Sequence, residues 1–168
     1  MSDALNFCTA CGGVLKKKFQ HPNGQMSPYY QCVDCYQKNY NNPTVGVAVI
    51  YIRSGRILLG KRKSSYRDNL WCIPCGHLDA FEPVIDGAKR EFKEETSLVA
   101  HDLDLYAANT NPNNTVVIYY KAQSVTGTLQ ANDDLSEVGY FRLDGLPNMA
   151  FASDLTIINQ LKSEQYGR

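Results

Sequence analysis

GHLDAFEPVIDGAKREFKEETSL, Gly76 to Leu98, is the stretch whose reading decides the fold. Pro83 suits the start of a helix, where its fixed φ and missing N–H cost nothing. At about 100° per residue, Ile85, Ala88 and Phe92 fall on one face and are expected to pack inward over a helix from about Pro83 to Thr96. Glu91, Glu94 and Glu95 are related by i, i+3 and i+4, so they gather on an adjacent face. Three crowded carboxylates repel one another unless a hard divalent cation shares their oxygens. Mg²⁺ suits such a site, taking a few carboxylates and completing its shell with water and substrate phosphate. The same spacing also suits a solvated acidic face offset by Lys89, Arg90 and Lys93. Spacing alone leaves both readings open.

The wider pattern favours the metal. Gly76-x5-Glu82-x7-Arg90-Glu91-Phe92-x-Glu94-Glu95-x-Ser97-Leu98 closely resembles the Nudix box, G-x5-E-x7-R-E-U-x-E-E-x-G-U, with U bulky and apolar. One specified position departs, Ser97 in place of glycine. The lead-in Leu70-Trp71-Cys72-Ile73-Pro74-Cys75-Gly76 is similar to that of many Nudix proteins. The resemblance runs from about Thr44 to the C-terminus. It implies an α/β/α sandwich and hydrolysis of a nucleoside diphosphate linked to another moiety, with Mg²⁺ or Mn²⁺. On matching positions it implies that Glu91, Glu94, Glu95 and the Gly76 carbonyl hold the metal, and that Glu91 can act on the attacking water. Arg90 and Glu82 would form the ion pair that holds the loop on the helix. The general base of several Nudix enzymes lies outside the box, which makes Asp133, Asp134 and Glu137 candidates here. Serine at position 97 is expected to cost about 1 kcal/mol where glycine would accept a left-handed helix end. Phe81, where many members carry glycine, is expected to narrow the loop.

Ahead of this region, Cys8-x2-Cys11 and Cys32-x2-Cys35 stand 20 residues apart, at the upper end of four-cysteine zinc spacing. Each pair makes a tight knuckle aiming two thiolates at one point, and two knuckles complete a tetrahedral site. Gly12 and Gly13 supply the permissive backbone of the first knuckle, and His21 to Gln25 reads as a hairpin turn. A segment of about 40 residues can hardly build its own core, so zinc would supply much of its folding free energy. A four-cysteine site leaves no open position, so this zinc would be structural. Residues 1–40 are read as a zinc ribbon, and residues 44–168 as the hydrolase domain.

Beyond the turn-rich NYNNP, residues 39–43, TVGVAVIYI and RILLGKR read as strands joined by Arg53-Ser54-Gly55. Further strands are expected at LDLYAAN, TVVIYYKAQSV and EVGYFRL. A final helix is expected to begin at Ser153 as N-cap and to bury Leu155, Ile158 and Leu161. Strands interrupted by one central and one terminal helix make an α/β sandwich.

Composition bounds the partners. Lys+Arg and Asp+Glu both total 17, so no overall field steers the chain to nucleic acid or an acidic membrane. Lys16 to Lys18 read as a solvated strand face, and no aromatic residues interleave with bases along the chain. Nucleic-acid binding therefore has little support, and the Nudix resemblance implies a small-molecule nucleotide partner. The longest apolar run, Val45 to Ile52, is too short to cross a bilayer. With no basic and apolar leader at the N-terminus, the expected place is the cytoplasm, where paired cysteines bind metal more often than they form structural disulfides.

A ribbon ahead of a Nudix domain resembles the NADH pyrophosphatase group and related hydrolases of ADP-ribose and FAD. The NADH group carries an S-Q-P-W-P-F-P-x-S array after the box. Here Asn109 to Ala122 reads NTNPNNTVVIYYKA instead, which favours an ADP-ribose or FAD substrate. Tyr119, Tyr120, Phe141 and Phe151 are candidates to stack a nucleobase. The alternative is a catalytically weak nucleotide sensor that regulates a partner, against which the intact acidic triad argues. The resemblance also allows a homodimer. Cys72-Ile73-Pro74-Cys75 looks like a thioredoxin motif, but such a motif needs its first cysteine at a helix N-terminus. The helix here begins too late.

Overall fold

A computed structural model describes residues 6–20, 27–40, 42–63 and 66–166. The chain divides into two compact units, Met1–Pro43 and Thr44–Arg168. The first contains a three-stranded antiparallel sheet of β1 (Leu15–Gln20), β2 (Ser27–Cys32) and β3 (Lys38–Asn39). Its core is small, comprising Cys8, Leu15, Tyr30 and Cys32. The turn expected at His21 to Gln25 lies outside the described residues.

The second unit holds two four-stranded sheets. One orders β8 (Cys75–His77), β4 (Thr44–Ile50), β10 (Thr115–Gly127) and β9 (Leu98–Asn111). The other joins β11 (Leu135–Arg142), β6 (Arg56–Arg62) and β5 (Ile52–Arg53), with β7 (Trp71–Cys72) also paired to β6. The β-branched run of β4 is buried on both faces, as a strand between two helical layers must be. Val47 and Val49 pack with Leu58 against Ala88 and Phe92 of α1 (Val84–Thr96). Ala48 and Ile50 pack with Ile57 and Leu59 against Ile157, Ile158 and Leu161 of α2 (Ala152–Tyr166). Alternation along β4 thus fixes which helix covers which face, and the result is the expected α/β/α sandwich.

The Arg53-Ser54-Gly55 turn forms as expected: the end of the first run, β5, pairs antiparallel with β6, while β4 pairs in parallel with β10 and antiparallel with β8. Two local expectations are corrected. Ile85 is exposed, because the inner face of α1 runs through Gly87, Ala88, Phe92 and Glu95. Leu155 is also exposed, while Asp154 and Ile157 take the inward positions of a helix that starts at Ala152, before Ser153. No helix among the described residues is long and apolar enough to cross a membrane.

Candidate active site

β8 delivers Gly76 to the side of α1. A side-chain carbon at Gly76 would collide with the Glu91 carboxylate, so only glycine lets that carboxylate lie against the strand backbone. Helix α1 begins after Pro83 without a side-chain cap. Its loop is held instead by Arg90, whose Nε and Nη2 donate to the two oxygens of Glu82 at 2.8 and 2.9 Å. The same Nη2 donates to the His77 carbonyl at 3.2 Å. Nη1 donates to Glu91 at 2.9 Å and to Glu94 at 3.0 Å. One planar fork therefore ties loop, strand and two box glutamates together, a geometry that lysine cannot supply. Arg90 holds the Glu82 carboxyl below its usual range, while burial raises that of Glu91.

Glu95 lies against the neighbouring residue of the same strand, β8. It is 2% exposed and accepts the Cys75 N–H at 2.7 Å, and burial pushes its carboxyl well up. Thus Glu91 and Glu95 lie against neighbouring residues of β8, Gly76 and Cys75, while Arg90 ties Glu94 to Glu91. Their hard oxygens remain the donor type that Mg²⁺ takes.

The far end of α1 bears on the departure from the box. Ser97 sits in the left-handed region, φ 60° and ψ 8°, and its N–H closes the helix on the Lys93 carbonyl at 2.9 Å. Its hydroxyl accepts a 2.6 Å bond from the Asn132 side chain. The backbone N–H groups of Gln130 and Asn132 donate to the Thr96 and Glu95 carbonyls, each at 3.0 Å. The loop carrying Asp133 and Asp134 is thereby stitched to the helix end. Asp133 lies near enough to help raise the Glu91 carboxyl, and Asp134 lines a cleft. Glu137 is 60% exposed and pairs with Lys61 at 3.5 Å, a strand-surface contact apart from these groups. Phe81 does not narrow the loop. It takes φ 66° and points fully into solvent.

The cleft, about 270 Å³, opens beside Gly76 and is lined by Tyr66, Asn113, Asp134, Phe151 and Ser153 among others. Of the four candidate stacking aromatics, Tyr119 and Phe151 border it. Tyr119 is locked in the core, its hydroxyl donating to Asp154 at 2.9 Å. Phe151 carries the guanidiniums of Arg62 and Arg67 over its ring, at 5.2 and 5.4 Å. Phe141 packs edge-on against Trp71. Tyr120 packs with the α1-side core. Sequence reasoning missed Tyr66, whose hydroxyl accepts a bond from the Asn113 side chain at 3.2 Å. It also missed Asp154, whose carboxylate accepts the Ile73 N–H at 3.0 Å. Neither lies in a motif.

A NUDIX domain family model matches residues 41–161. The chain belongs to the Nudix family. It is a Nudix hydrolase, with the box on α1 and its lead-in on β7 and β8. The ADP-ribose pyrophosphatase of Methanocaldococcus jannaschii is 30% identical over 128 residues, covering 73% of this chain and 76% of that one. The NAD-capped RNA hydrolase NudC of Vibrio cholerae is 25% identical over 153 residues, covering 89% of this chain. The chain spans about half the length of that relative, 54%. A Nudix hydrolase crystal structure from Nitrosomonas europaea matches with a TM-score of 0.79 at 26% identity, covering 98% of this chain and 94% of that one.

The N-terminal unit holds a second set of ligands. The sulfurs of Cys8, Cys11, Cys32 and Cys35 lie within 4.8 Å of one another, with Cys8–Cys35 at 3.7 Å and Cys11–Cys32 at 3.5 Å. A tetrahedral zinc with Zn–S bonds of about 2.3 Å needs sulfurs about 3.8 Å apart, so the four thiols fit that ion. Backbone N–H groups bring the Cys8 and Cys32 thiols down, while those of Cys11 and Cys35 are raised among the neighbouring sulfurs. Cys72 and Cys75 behave otherwise. They sit on strands β7 and β8, not at the helix N-terminus that a redox nucleophile needs, and the neighbouring Cys72 together with burial pushes the Cys75 thiol well up.

Proposed function

We propose that this chain is a metal-dependent pyrophosphatase acting on ADP-ribose or a similar nucleoside diphosphate derivative such as FAD. The observation that carries the reading is the Glu91 carboxylate lying against the Gly76 backbone beside an open cleft. The 30% identical relative, an ADP-ribose pyrophosphatase, points to the same class. The absence of the NADH-type array after the box turns the reading away from NADH.

Glu91, Glu94, Glu95 and the Gly76 carbonyl would hold Mg²⁺ or Mn²⁺. A metal held there would supply charge neutralisation of the diphosphate and would help align a water for attack at phosphorus. The chain's own part is positional and acid–base. Arg90 fixes Glu91 and Glu94 relative to the loop, and Glu82 fixes Arg90. Glu91, or else Asp133 or Asp134 from the stitched loop, would take a proton from the attacking water. The four N-terminal cysteines hold structural zinc, and we place the protein in a reducing cytoplasm.

The test is turnover of ADP-ribose, FAD and NADH with Mg²⁺, read as phosphate released after phosphatase treatment. Glu94→Gln, a half-exposed substitution, is expected to lower turnover at least about 100-fold, roughly 3 kcal/mol of barrier, at unchanged melting temperature. Wild-type turnover by this variant would sink the assignment. Tight ADP-ribose binding without turnover by the parent protein would favour the sensor.

A further inference from the structure

Strand register in the N-terminal unit brings together residues that the sequence keeps apart. Lys16 stands opposite Gln31, Lys18 opposite Tyr29, and Gln31 opposite Lys38. Directly opposed residues share one face of a sheet, so all five lie on the same side. Tyr40, two residues beyond Lys38, joins them with its ring 6.2 Å from that of Tyr29. The opposite face carries Leu15, Tyr30 and Cys32, buried with Cys8. The cysteine knuckles therefore occupy one face and leave the other open. On it Lys16, Lys18, Lys38 and Tyr40 are exposed, while Tyr29 and Gln31 are half-buried.

That open face presents three ammonium groups, two phenol rings and an amide, with no carboxylate among the described residues. Asp34 lies instead at the knuckles, where its side chain fills the space over Gly13. Lys38 stands 5.0 Å from the centre of the Tyr29 ring, and Lys18 donates to Gln31 at 2.6 Å. The two tyrosine rings are tilted by only 34°, close to a shared stacking direction. Residues 1–43 hold four lysines and two aspartates, within a chain whose charges balance at 17 each.

We propose that this face binds single-stranded nucleic acid, with bases stacked on Tyr29 and Tyr40 and phosphates met by Lys16, Lys18 and Lys38. Aromatic platforms flanked by cations take single strands because every unpaired base offers a π-face. Lysines meet phosphate as point charges and read no sequence. An acidic peptide would satisfy the lysines but leave the tyrosine pair unused. An apolar partner would have to desolvate three ammonium groups. The proposal uses no residue of the hydrolase cleft and stands apart from the substrate reading.

Fluorescence anisotropy with the full chain and zinc tests it, using a labelled RNA of about 12 nucleotides, the matching DNA strand and the matching duplex. Both single strands are expected to bind, and the duplex about tenfold more weakly or worse. The logarithm of affinity should fall with the logarithm of salt at a slope of about −2, for three phosphate contacts at about 0.7 each. Tyr40→Ala is expected to weaken binding about tenfold, and Lys38→Ala to reduce the slope by about 0.7. Both variants should keep wild-type zinc content and ADP-ribose turnover. No binding at about 50 mM salt, equal affinity for duplex, affinity untouched by Tyr40→Ala, or equal competition by polyglutamate would overturn the proposal.

Discussion

The N-terminal unit buries Cys8, Leu15, Tyr30 and Cys32, two of them sulfur ligands, and little else among its described residues. The C-terminal unit buries separate clusters on either side of its strands, one around Phe92 under α1 and one around Ile157 and Ile158 under α2. The same chain thus contains one unit organised around four thiols that fit a zinc ion and one organised around apolar area. In the first, ligand geometry is the core. In the second, the core is built from apolar side chains, and of the three box glutamates Glu95 is buried with them.

Metal removal should separate the two most sharply. Chelation of zinc is expected to take about 10 kcal/mol or more from the N-terminal unit. In hydrogen exchange, protection over β1 and β2 should vanish while β4 and β10 keep theirs. Simultaneous loss in both units would break the comparison. Phe92→Ala is the converse experiment. Phe92 is fully buried, and its truncation should cost about 3–5 kcal/mol, lowering the melting temperature of the C-terminal unit with one zinc per chain retained.

Asp154 probes the α2-side core by pH. Burial raises its carboxyl to about 6, against an ordinary value of 3.8. Because the folded state holds this proton more tightly, stability is fully present below about pH 4 and falls as pH rises to about 6. The loss is about 3 kcal/mol. Asp154→Asn should remove that fall, measured as the difference between the two denaturation profiles over this window. A parallel pair of profiles would show that Asp154 does not titrate there. The smallest effect is at the helix end. Ser97→Gly relieves a left-handed serine by about 1 kcal/mol but loses a hydrogen bond of similar size. Its denaturant midpoint should therefore stay close to that of the parent, whereas Asn132→Ala should lower it. A clear gain from glycine would mean the Asn132 bond contributes nothing.

What the sequence made legible was local. Cysteine pairs two residues apart, the Gly76 to Leu98 pattern and the β-branched β4 each announce their structure within a few turns or knuckles. The inward face of α1 was misjudged at Ile85 because a carboxylate took an inward position. Glu95 is buried there by its bond to the Cys75 N–H, a partner 20 residues away that hydrophobic periodicity does not register. The same reason hid Asp154, bonded to Ile73 and Tyr119. It also hid the tyrosine–lysine face of the N-terminal sheet, which register assembles from β1, β2 and the end of β3. Side-chain reach across strands, more than strand existence, is what one chain read alone withholds.

The Ser97–Asn132 bond has an evolutionary consequence. A glycine at position 97 would leave the side chain at 132 without a partner, and a loop lacking Asn132 would leave the serine with its backbone cost uncompensated. The two positions are therefore coupled, and lineages should exchange them as a pair. The glycine missing from the box is then half of a compound character, whose other half lies 35 residues downstream.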